Sequence, residues 1–198
     1  VEAMKKTYKK LKLDCLVVLG GNGSLKSANM LSQEGLNVIG LPKTIDNDTW
    51  GTDYTFGFQS AVDIATNYLN EIETTAKSHS RVFVVEIMGH KVGHICLQAG
   101  IAAGVDAILL PEIPYDINKA VDKINERRAK GKEFSIVVVA EGAAPKGGEI
   151  TVASQRNNGA GVDNNKLGGV GQVVAKQLEQ LTGLEARNTT LGLSLIHI

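Results

Sequence analysis

An apolar run leads directly into an acidic loop in the sequence Val38-Ile39-Gly40-Leu41-Pro42-Lys43-Thr44-Ile45-Asp46-Asn47-Asp48. The run predicts a strand, and the polar residues after it predict a loop at its carboxyl end. Side chains of this kind are costly to bury and contribute little to packing. The loop is therefore a candidate for chemistry, with one of Asp46 and Asp48 as base and the other as metal ligand, Lys43 neutralising a phosphoryl group and Thr44 fixing the acceptor. The alternative is an Asx-type turn with solvated aspartates.

A second loop, Gly20-Gly21-Asn22-Gly23-Ser24, follows the preceding apolar run at residues 15–19. Glycines let backbone N–H groups turn toward an anion, and a helix expected from near Leu25 adds partial positive charge. The alternative is a tight strand-to-helix turn with Ser24 as the N-cap. One loop suits phosphate and the other suits protons and metal, so together they indicate phosphoryl transfer.

Short apolar runs alternate with helix-period segments along the chain, which predicts an α/β fold built from βαβ units around a parallel sheet. The runs are nearly continuously apolar, so we expect strands that are covered on both faces. Glycines after three helical segments predict where those helices end. The Gly- and Asn-rich segment 142–169 is either a surface excursion, which we favour, or a small hairpin. The predicted strands are 15–19, 37–41, 81–86, 107–110, 135–140 and 186–191, and the three helices are 25–34, 117–130 and 170–182.

The composition excludes some classes of function. The 198 residues carry 21 Lys+Arg and 21 Asp+Glu, and a net charge of zero argues against a general nucleic-acid or membrane-surface binder. No apolar stretch is long enough to span a bilayer. Cys15 and Cys96 lie inside apolar runs without metal-ligand spacing, which indicates reduced core cysteines in a cytoplasmic protein. Both ends are uncapped, so we expect a piece of a longer chain.

Further candidates come from the rule that open parallel sheets bind ligands at the carboxyl ends of their strands. Glu141 closes the run 135–140, and Met88-Gly89-His90 follows the run 81–86. Arg187, which begins or precedes the last run, is expected at the same edge, and Arg81 begins an earlier run. The arginine fork suits phosphate, although each arginine can equally form a surface ion pair. His90 can hydrogen-bond a ligand or simply begin a helix.

The motifs named so far resemble those of 6-phosphofructokinases of the phosphofructokinase-A type, over nearly all of residues 1–192. The resemblance is carried by the glycine loop and by the segments 42–55, 84–89, 141–142 and 185–192. It implies the parallel-sheet βαβ layers of that family, in incomplete form. Residues 1–80 would be the C-terminal part of the phosphoryl-donor region with the catalytic loop, 81–192 the sugar-phosphate region, and 193–198 an unrelated or non-native tail.

The resemblance implies a glycolytic reaction in which ATP and Mg²⁺ phosphorylate the 1-hydroxyl of fructose 6-phosphate to give fructose 1,6-bisphosphate. Asp46 would be the general base, and Asn22 and Asp48 would lie at the magnesium site. Arg81 and Arg187 would reach the sugar phosphate of a neighbouring subunit, which implies a homo-oligomer. The resemblance assigns substrate contacts to Thr44, Ile45, Asp46, Arg81, Met88, Gly89, His90, Glu141 and Arg187, and donor contacts to Gly20, Gly21, Asn22, Gly23 and Ser24.

The choice of donor and two departures from the family pattern leave alternatives open. Gly23 is small enough to admit the α-phosphate of ATP, where pyrophosphate users typically carry a bulkier acid, while Lys43 is typical of pyrophosphate users and of some ATP users. We favour ATP. Asn22 replaces an aspartate and His90 an arginine, which motivates a non-catalytic binding homologue. The retained Asp46, Asp48 and Lys43 argue against it. Kinases acting on NAD or diacylglycerol share only the glycine loop. We expect the 198 residues alone to be inactive.

Overall fold

The computed structural model describes residues 1–154 and 166–192 of the chain. The chain forms two compact units, Val1–Phe58 and Gln59–Ile198. The first unit contains α1 (Glu2–Lys10), β1 (Leu16–Gly20), α2 (Asn22–Gln33), β2 (Val38–Thr44) and β3 (Phe56–Gly57). Helix α3 (Phe58–His79) leads into the second unit, which contains β4 (Val82–Ile87), α4 (His94–Ala102), β5 (Ala107–Leu109), α5 (Ile117–Ala129), β6 (Ser135–Ala140), β7 (Val152–Ser154), β8 (Lys166–Leu167), α6 (Val170–Thr182) and β9 (Ala186–Leu191). The predicted functional division at residues 80/81 stays a prediction, and 193–198 lies outside the described residues.

The first unit is a parallel three-stranded sheet in the order β1-β2-β3. The register pairs Leu16 with Val38 and Gly20 with Pro42, so β1 and β2 run side by side and end at the same edge. Strand β3 then pairs with the last two residues of β2. This register brings the glycine loop and the acidic loop to one edge of the sheet.

The prediction that every strand is covered on both faces is wrong for this first sheet. Helix α2 packs against both β1 and β2. Val17 and its register partner Ile39 are about half exposed, at 48% and 51%. The apolar runs are therefore as predicted, but a run does not by itself reveal how many layers cover it.

The second unit is a parallel four-stranded sheet in the order β5-β6-β4-β9. The prediction of full coverage is confirmed for β6, all of whose residues are buried, and for β4, in which only Phe83 is partly exposed. Their continuous β-branched runs suit strands that lie between helical layers. Helices α5 and α6 contribute to the core that covers one face; its members include Val82, Val84, Val137, Val139, Ala120, Ile124, Val174 and Leu178.

The helix ends agree with the sequence prediction more closely than the helix starts do. Gly35, Gly131 and Gly183 all have positive φ and follow α2, α5 and α6, as predicted. A residue without a Cβ adopts this left-handed conformation at little steric cost. Helix α2, however, begins at Asn22 rather than near Leu25.

Part of the segment 142–169 forms two short paired strands, so the segment is not wholly a surface excursion. Strand β7 pairs antiparallel with β8, with Val152 opposite Leu167, so the preferred interpretation is wrong there and the hairpin alternative is the better one. The apolar residues around Val152 form strand β7, although the many glycines of the segment favoured a loop. Residues 155–165 lie outside the described part of the chain.

Within the described residues, no helix has both the length and the apolar character required to cross a bilayer.

Candidate active site

The glycine loop passes from β1 into α2 without an intervening turn. Gly21 is the N-cap residue, with φ −81° and ψ −167°, and no side chain among the described residues caps the helix. The alternative that Ser24 is the N-cap is wrong, because Ser24 lies in the first helical turn above Gly20. A Cβ on Gly20 would lie 2.4 Å from Cβ of Ser24, so only glycine allows this approach. The loop thus directs uncapped backbone N–H groups outward from the helix N-terminus, which is the arrangement that binds phosphate.

The acidic loop lies beside the glycine loop, and Asn22 joins them. Its Nδ2 donates to Oδ2 of Asp48 at 2.8 Å and approaches the Asp48 carbonyl oxygen at 3.5 Å. A Cβ on Gly21 would lie 3.5 Å from Cβ of Thr44, which is van der Waals distance, so the glycine loop also lies beside Thr44. The two loops that the sequence singled out therefore share one edge of the first unit.

The predicted catalytic residues are spaced along a structured turn. The Asp46 backbone N–H donates to Oγ1 of Thr44 at 3.3 Å, so the turn involves the threonine hydroxyl. Ile45, Asp46 and Asp48 are half-buried, whereas Lys43 is exposed. Half-burial distinguishes these aspartates from the fully solvated pair of the Asx-turn alternative.

Asp48 and Asn22 are the residues that could hold a divalent cation here. Mg²⁺ takes hard oxygen ligands and commonly uses one or two carboxylates together with substrate phosphates and water. Asp48 offers a carboxylate, and the Asn22 amide lies against it. No group of three or more His, Cys, Asp or Glu that could hold a metal occurs among the described residues. Asp48 could thus hold a divalent cation together with substrate phosphates and water, while Nδ2 of Asn22 donates to the same carboxylate.

In the second unit, the predicted sugar-pocket residues come together after β4 and β6. Ile87 and Ala140 are register partners, so the two strands end side by side. Oε1 of Glu141 accepts hydrogen bonds from the backbone N–H groups of Gly89, at 3.3 Å, and His90, at 2.6 Å.

The backbone around these residues is tightly fitted. His90 has φ +52°, and a Cβ on Gly142 would lie 2.3 Å from the His90 carbonyl oxygen. The alternative that His90 begins a helix is wrong, because α4 begins at His94. The loop that contains Met88 is therefore held by the Glu141 carboxylate and by a close backbone approach.

The two predicted phosphate-binding arginines lie together, but at the other edge of this sheet. Val82 and Ala186 are register partners, so Arg81 and Arg187 stand at the amino ends of β4 and β9. The expectation that Arg187 lies at the carboxyl edge is wrong, because a residue that opens a strand lies at its amino end.

Both arginines contact one carboxylate, that of Glu185. Nε of Arg81 lies 2.6 Å from Oε2 of Glu185, and the Arg187 guanidinium pairs with Oε1. The Arg81 hydrogen bond lowers the pKa of Glu185, and Arg187 adds to this effect. The surface ion-pair alternative thus describes both arginines in this structure, and it places two phosphate-compatible guanidinium groups within reach of one anion.

Glu185 and Thr55 organise the site but were not predicted from the sequence as functional residues. Glu185 and Arg187 are two residues apart in an extended segment and so share one face, which is a signal that could have paired them. Thr55 is buried and its hydroxyl donates to the Thr44 carbonyl oxygen at 2.7 Å. Nothing in the local sequence distinguishes it from a solvated loop threonine.

The fold and the paired loops define a parallel α/β protein with a phosphate-type loop and an acidic loop at the carboxyl edge of one sheet. The family model described as Phosphofructokinase matches residues 1–195, and the chain belongs to that family. The resemblance seen in the sequence and the predicted fold class are confirmed.

Individual relatives agree with the family assignment. The chain is 55% identical over 192 residues to the ATP-dependent 6-phosphofructokinase of Spirochaeta thermophila, covering 97% of this chain and 52% of that protein. It is 52% identical over 185 residues to ATP-dependent 6-phosphofructokinase 2 of Clostridium perfringens, covering 93% and 50%. The phosphofructokinase structure from Saccharomyces cerevisiae matches with a TM-score of 0.77 and 32% identity, over 95% of this chain and 26% of that one. The chain spans about half the length of the curated relatives it matches.

Proposed function

We propose that the complete protein transfers the γ-phosphoryl group of ATP to the 1-hydroxyl of fructose 6-phosphate. The observation that carries the proposal is the contact between Asn22 and Asp48, which joins an anion-binding loop to a loop with a base. Phosphoryl transfer depends mainly on positioning and on charge stabilisation, and both require these groups to lie together. The names of the two bacterial relatives support ATP as their donor.

Within this proposal, Asp46 accepts the proton of the attacking hydroxyl and Thr44 and Ile45 contact the acceptor. Lys43 neutralises charge on the transferred group. The backbone N–H groups from Gly20 to Ser24 hold the donor phosphates. Magnesium, held by Asp48 and Asn22, would supply charge neutralisation at the phosphates.

The acceptor binds, in this proposal, with its sugar against Met88, Gly89, His90 and Glu141. Arg81 and Arg187 bind the phosphate of a sugar held by a neighbouring subunit in a homo-oligomer. Their position at the amino edge supports this: β4 and β9 each span six residues, roughly 20 Å at about 3.3 Å per residue, which exceeds the length of a hexose phosphate. One subunit could not use both edges for one sugar.

ATP is the proposed donor because Gly23 leaves room beside the donor loop. Among the described residues, no atom lies within 4 Å of the point where a Cβ on Gly23 would stand. Pyrophosphate is the second candidate, favoured by Lys43, whose side chain is exposed and available to either donor. We place the protein in the cytoplasm, which its two free cysteines suit.

A donor comparison on the complete protein tests the proposal. We expect fructose 6-phosphate to be phosphorylated with ATP much faster than with pyrophosphate, in the presence of Mg²⁺. Faster turnover with pyrophosphate would select the second candidate, and binding of both ligands without turnover would select the non-catalytic homologue.

Replacing the base tests its role. Asp46→Ala should lower kcat by about 100- to 10,000-fold, the usual contribution of general base catalysis, while binding of fructose 6-phosphate stays measurable by calorimetry. Unchanged turnover would remove Asp46 from the mechanism.

A further inference from the structure

Asn47 separates the two aspartates of the acidic loop and has an unusual backbone conformation. Its φ is +53°, in the left-handed region. Asparagine enters this region more readily than most residues do. In an extended chain the side chains of residues 46 and 48 would point to the same side. A left-handed residue between them interrupts that alternation, so the two side chains need not point to the same side.

The side chain of Asn47 closes the loop that follows it. Its Oδ1 accepts a hydrogen bond from the Thr55 backbone N–H at 2.8 Å. Its Nδ2 donates to the Asp53 carbonyl oxygen at 3.2 Å. One amide thus uses both of its ends to hold residues 47–55 as a closed loop.

Thr55 also contacts the chain that precedes Asp46. It is 4% exposed, and its hydroxyl donates to the carbonyl oxygen of Thr44 at 2.7 Å. The next residue, Phe56, pairs with Lys43 in the sheet. The chain on each side of Asp46 is therefore attached to the same buried threonine, through Thr44 on one side and Asn47 on the other.

We infer that Asn47 and Thr55 are positioning residues that fix the Asp46 and Asp48 carboxylates relative to the end of β2. This inference rests on the proposed function. The two residues act through the backbone and not on the substrate, so their loss should lower kcat more than it raises KM. A misplacement of about 1 Å at a reacting group is enough for an effect of about 100-fold.

Matched substitutions in the complete protein test this inference. Asn47→Gly keeps the left-handed conformation accessible and removes both side-chain hydrogen bonds. Asn37→Gly is the control, because Nδ2 of Asn37 also donates to a backbone carbonyl of the same unit, that of Asp14 at 2.9 Å, at the amino edge of the sheet. We expect Asn47→Gly to lower kcat by about 10- to 100-fold with little change in KM, and Asn37→Gly to leave kcat unchanged.

A second pair tests the threonine. Thr55→Val keeps the shape and removes the hydroxyl, whereas Thr55→Ser keeps the hydroxyl. We expect a lower kcat for the valine variant and recovery of most of the rate in the serine variant. Equal loss of kcat in Asn47→Gly and Asn37→Gly, or wild-type kcat in Asn47→Gly or Thr55→Val, would overturn the inference.

Hydrogen exchange separates this inference from the proposed function. Without substrate, the Thr55 amide should be protected in the wild-type protein and should exchange faster in Asn47→Gly. An unprotected Thr55 amide in the wild-type protein would overturn the inference, even if the enzyme is active. Absence of sugar phosphorylation by a wild-type protein with a protected amide would instead contradict the proposed function.

Discussion

Residue 22 is asparagine, whereas the family resemblance predicts an aspartate at this position. Its Nδ2 lies 2.8 Å from Oδ2 of Asp48. Two carboxylates at that separation repel each other unless a cation lies between them or one is protonated. The amide therefore joins the two loops without a metal, and it removes one negative charge from the proposed magnesium site.

Restoring the carboxylate should change the metal requirement. Asn22→Asp adds one negative charge beside Asp48, so we expect the Mg²⁺ concentration for half-maximal rate to fall by about tenfold. The thermal stability of the variant should also depend more strongly on Mg²⁺ than that of the wild-type protein. Asn22→Ala, which loses the hydrogen bond without adding charge, is the control. Identical Mg²⁺ titrations for Asn22→Asp and the wild type would place residue 22 away from the metal.

Gly23 should control which donor is used. Because no atom of the described chain lies within 4 Å of a Cβ there, Gly23→Asp should fold like the wild type. Its carboxylate would oppose the α-phosphate of ATP, so we expect kcat/KM to fall by about 100-fold with ATP and much less with pyrophosphate. Gly23→Asn separates charge from size and should have a smaller effect. Equal losses with both donors would show that position 23 does not discriminate between them.

Among the secondary-structure elements, α6 owes its position to a buried acid in β4. Glu86 is 2% exposed, and its carboxylate accepts hydrogen bonds from the backbone N–H groups of Gly169, at 3.0 Å, and Gly171, at 2.7 Å. A negative charge at a helix N-terminus is favourable, and buried N–H groups require acceptors. A Cβ on Gly171 would lie 2.9 Å from Cβ of Glu86, so the glycine permits the contact.

Removing this carboxylate should destabilise the protein. Glu86→Ala leaves the buried N–H group of Gly171, and also the N–H group of Gly169, without this acceptor, and we expect the free energy of unfolding to fall by about 1–3 kcal/mol in urea denaturation. Glu86→Gln keeps an oxygen acceptor and should lose less. Glu126→Ala, in an exposed ion pair with Lys130, is the control and should change stability by less than about 1 kcal/mol. A loss in Glu86→Ala no larger than in the control would contradict this account of α6.

The sequence predicted elements better than contacts, for a physical reason. Continuous apolar runs and terminal glycines are local signals, and they located β4, β6 and the end of α5 correctly. The predicted start of α2 was wrong because its N-cap is a glycine, which has no side chain that would mark a helix start in the sequence. The exposed face of β1 and the pairing of β7 with β8 depend on which segments pack or pair in the fold, and apolar runs do not report this.

The candidate site shows the same limit. The carboxylates and glycines were recognisable from composition and from their place after predicted strands. The partners that organise them were not, because Asn22 meets Asp48 across 26 positions and Glu141 meets His90 across 51. Such contacts follow from the register of parallel strands, which becomes known only once the fold is known.

For the molecule as a whole, the two edges of the second sheet have separate tasks in our proposal. The residues proposed to contact the sugar lie at the carboxyl edge, and Arg81 and Arg187 lie at the amino edge, held by Glu185. A phosphate that replaced the Glu185 carboxylate would meet two guanidinium groups already close together. A site that needs both edges must then draw on two subunits.

Hybrid oligomers test this arrangement. We expect the Asp46→Ala and Arg187→Ala proteins each to be nearly inactive alone. The two are co-expressed so that mixed oligomers form. If Arg187 serves the neighbouring subunit, a mixed dimer contains one site with both native residues. Random mixing should then restore about a quarter of the wild-type kcat, because half of the dimers are mixed and half of their sites are native.

The matched control combines two defects in the same loop. Asp46→Ala with Asp48→Ala should restore no activity, because both residues belong to the loop after β2 and every site in the mixture lacks one of them. Recovery in this control would mean that the acidic loop itself is shared between subunits. No recovery in the Asp46→Ala and Arg187→Ala mixture, with mixed oligomers verified by mass spectrometry, would place Arg187 in the site of its own subunit. To reach the sugar of their own subunit, the arginines would then have to break their ion pairs with Glu185 and reach the carboxyl edge. The six-residue length of β4 and β9 separates the two edges and makes that result incompatible with this structure.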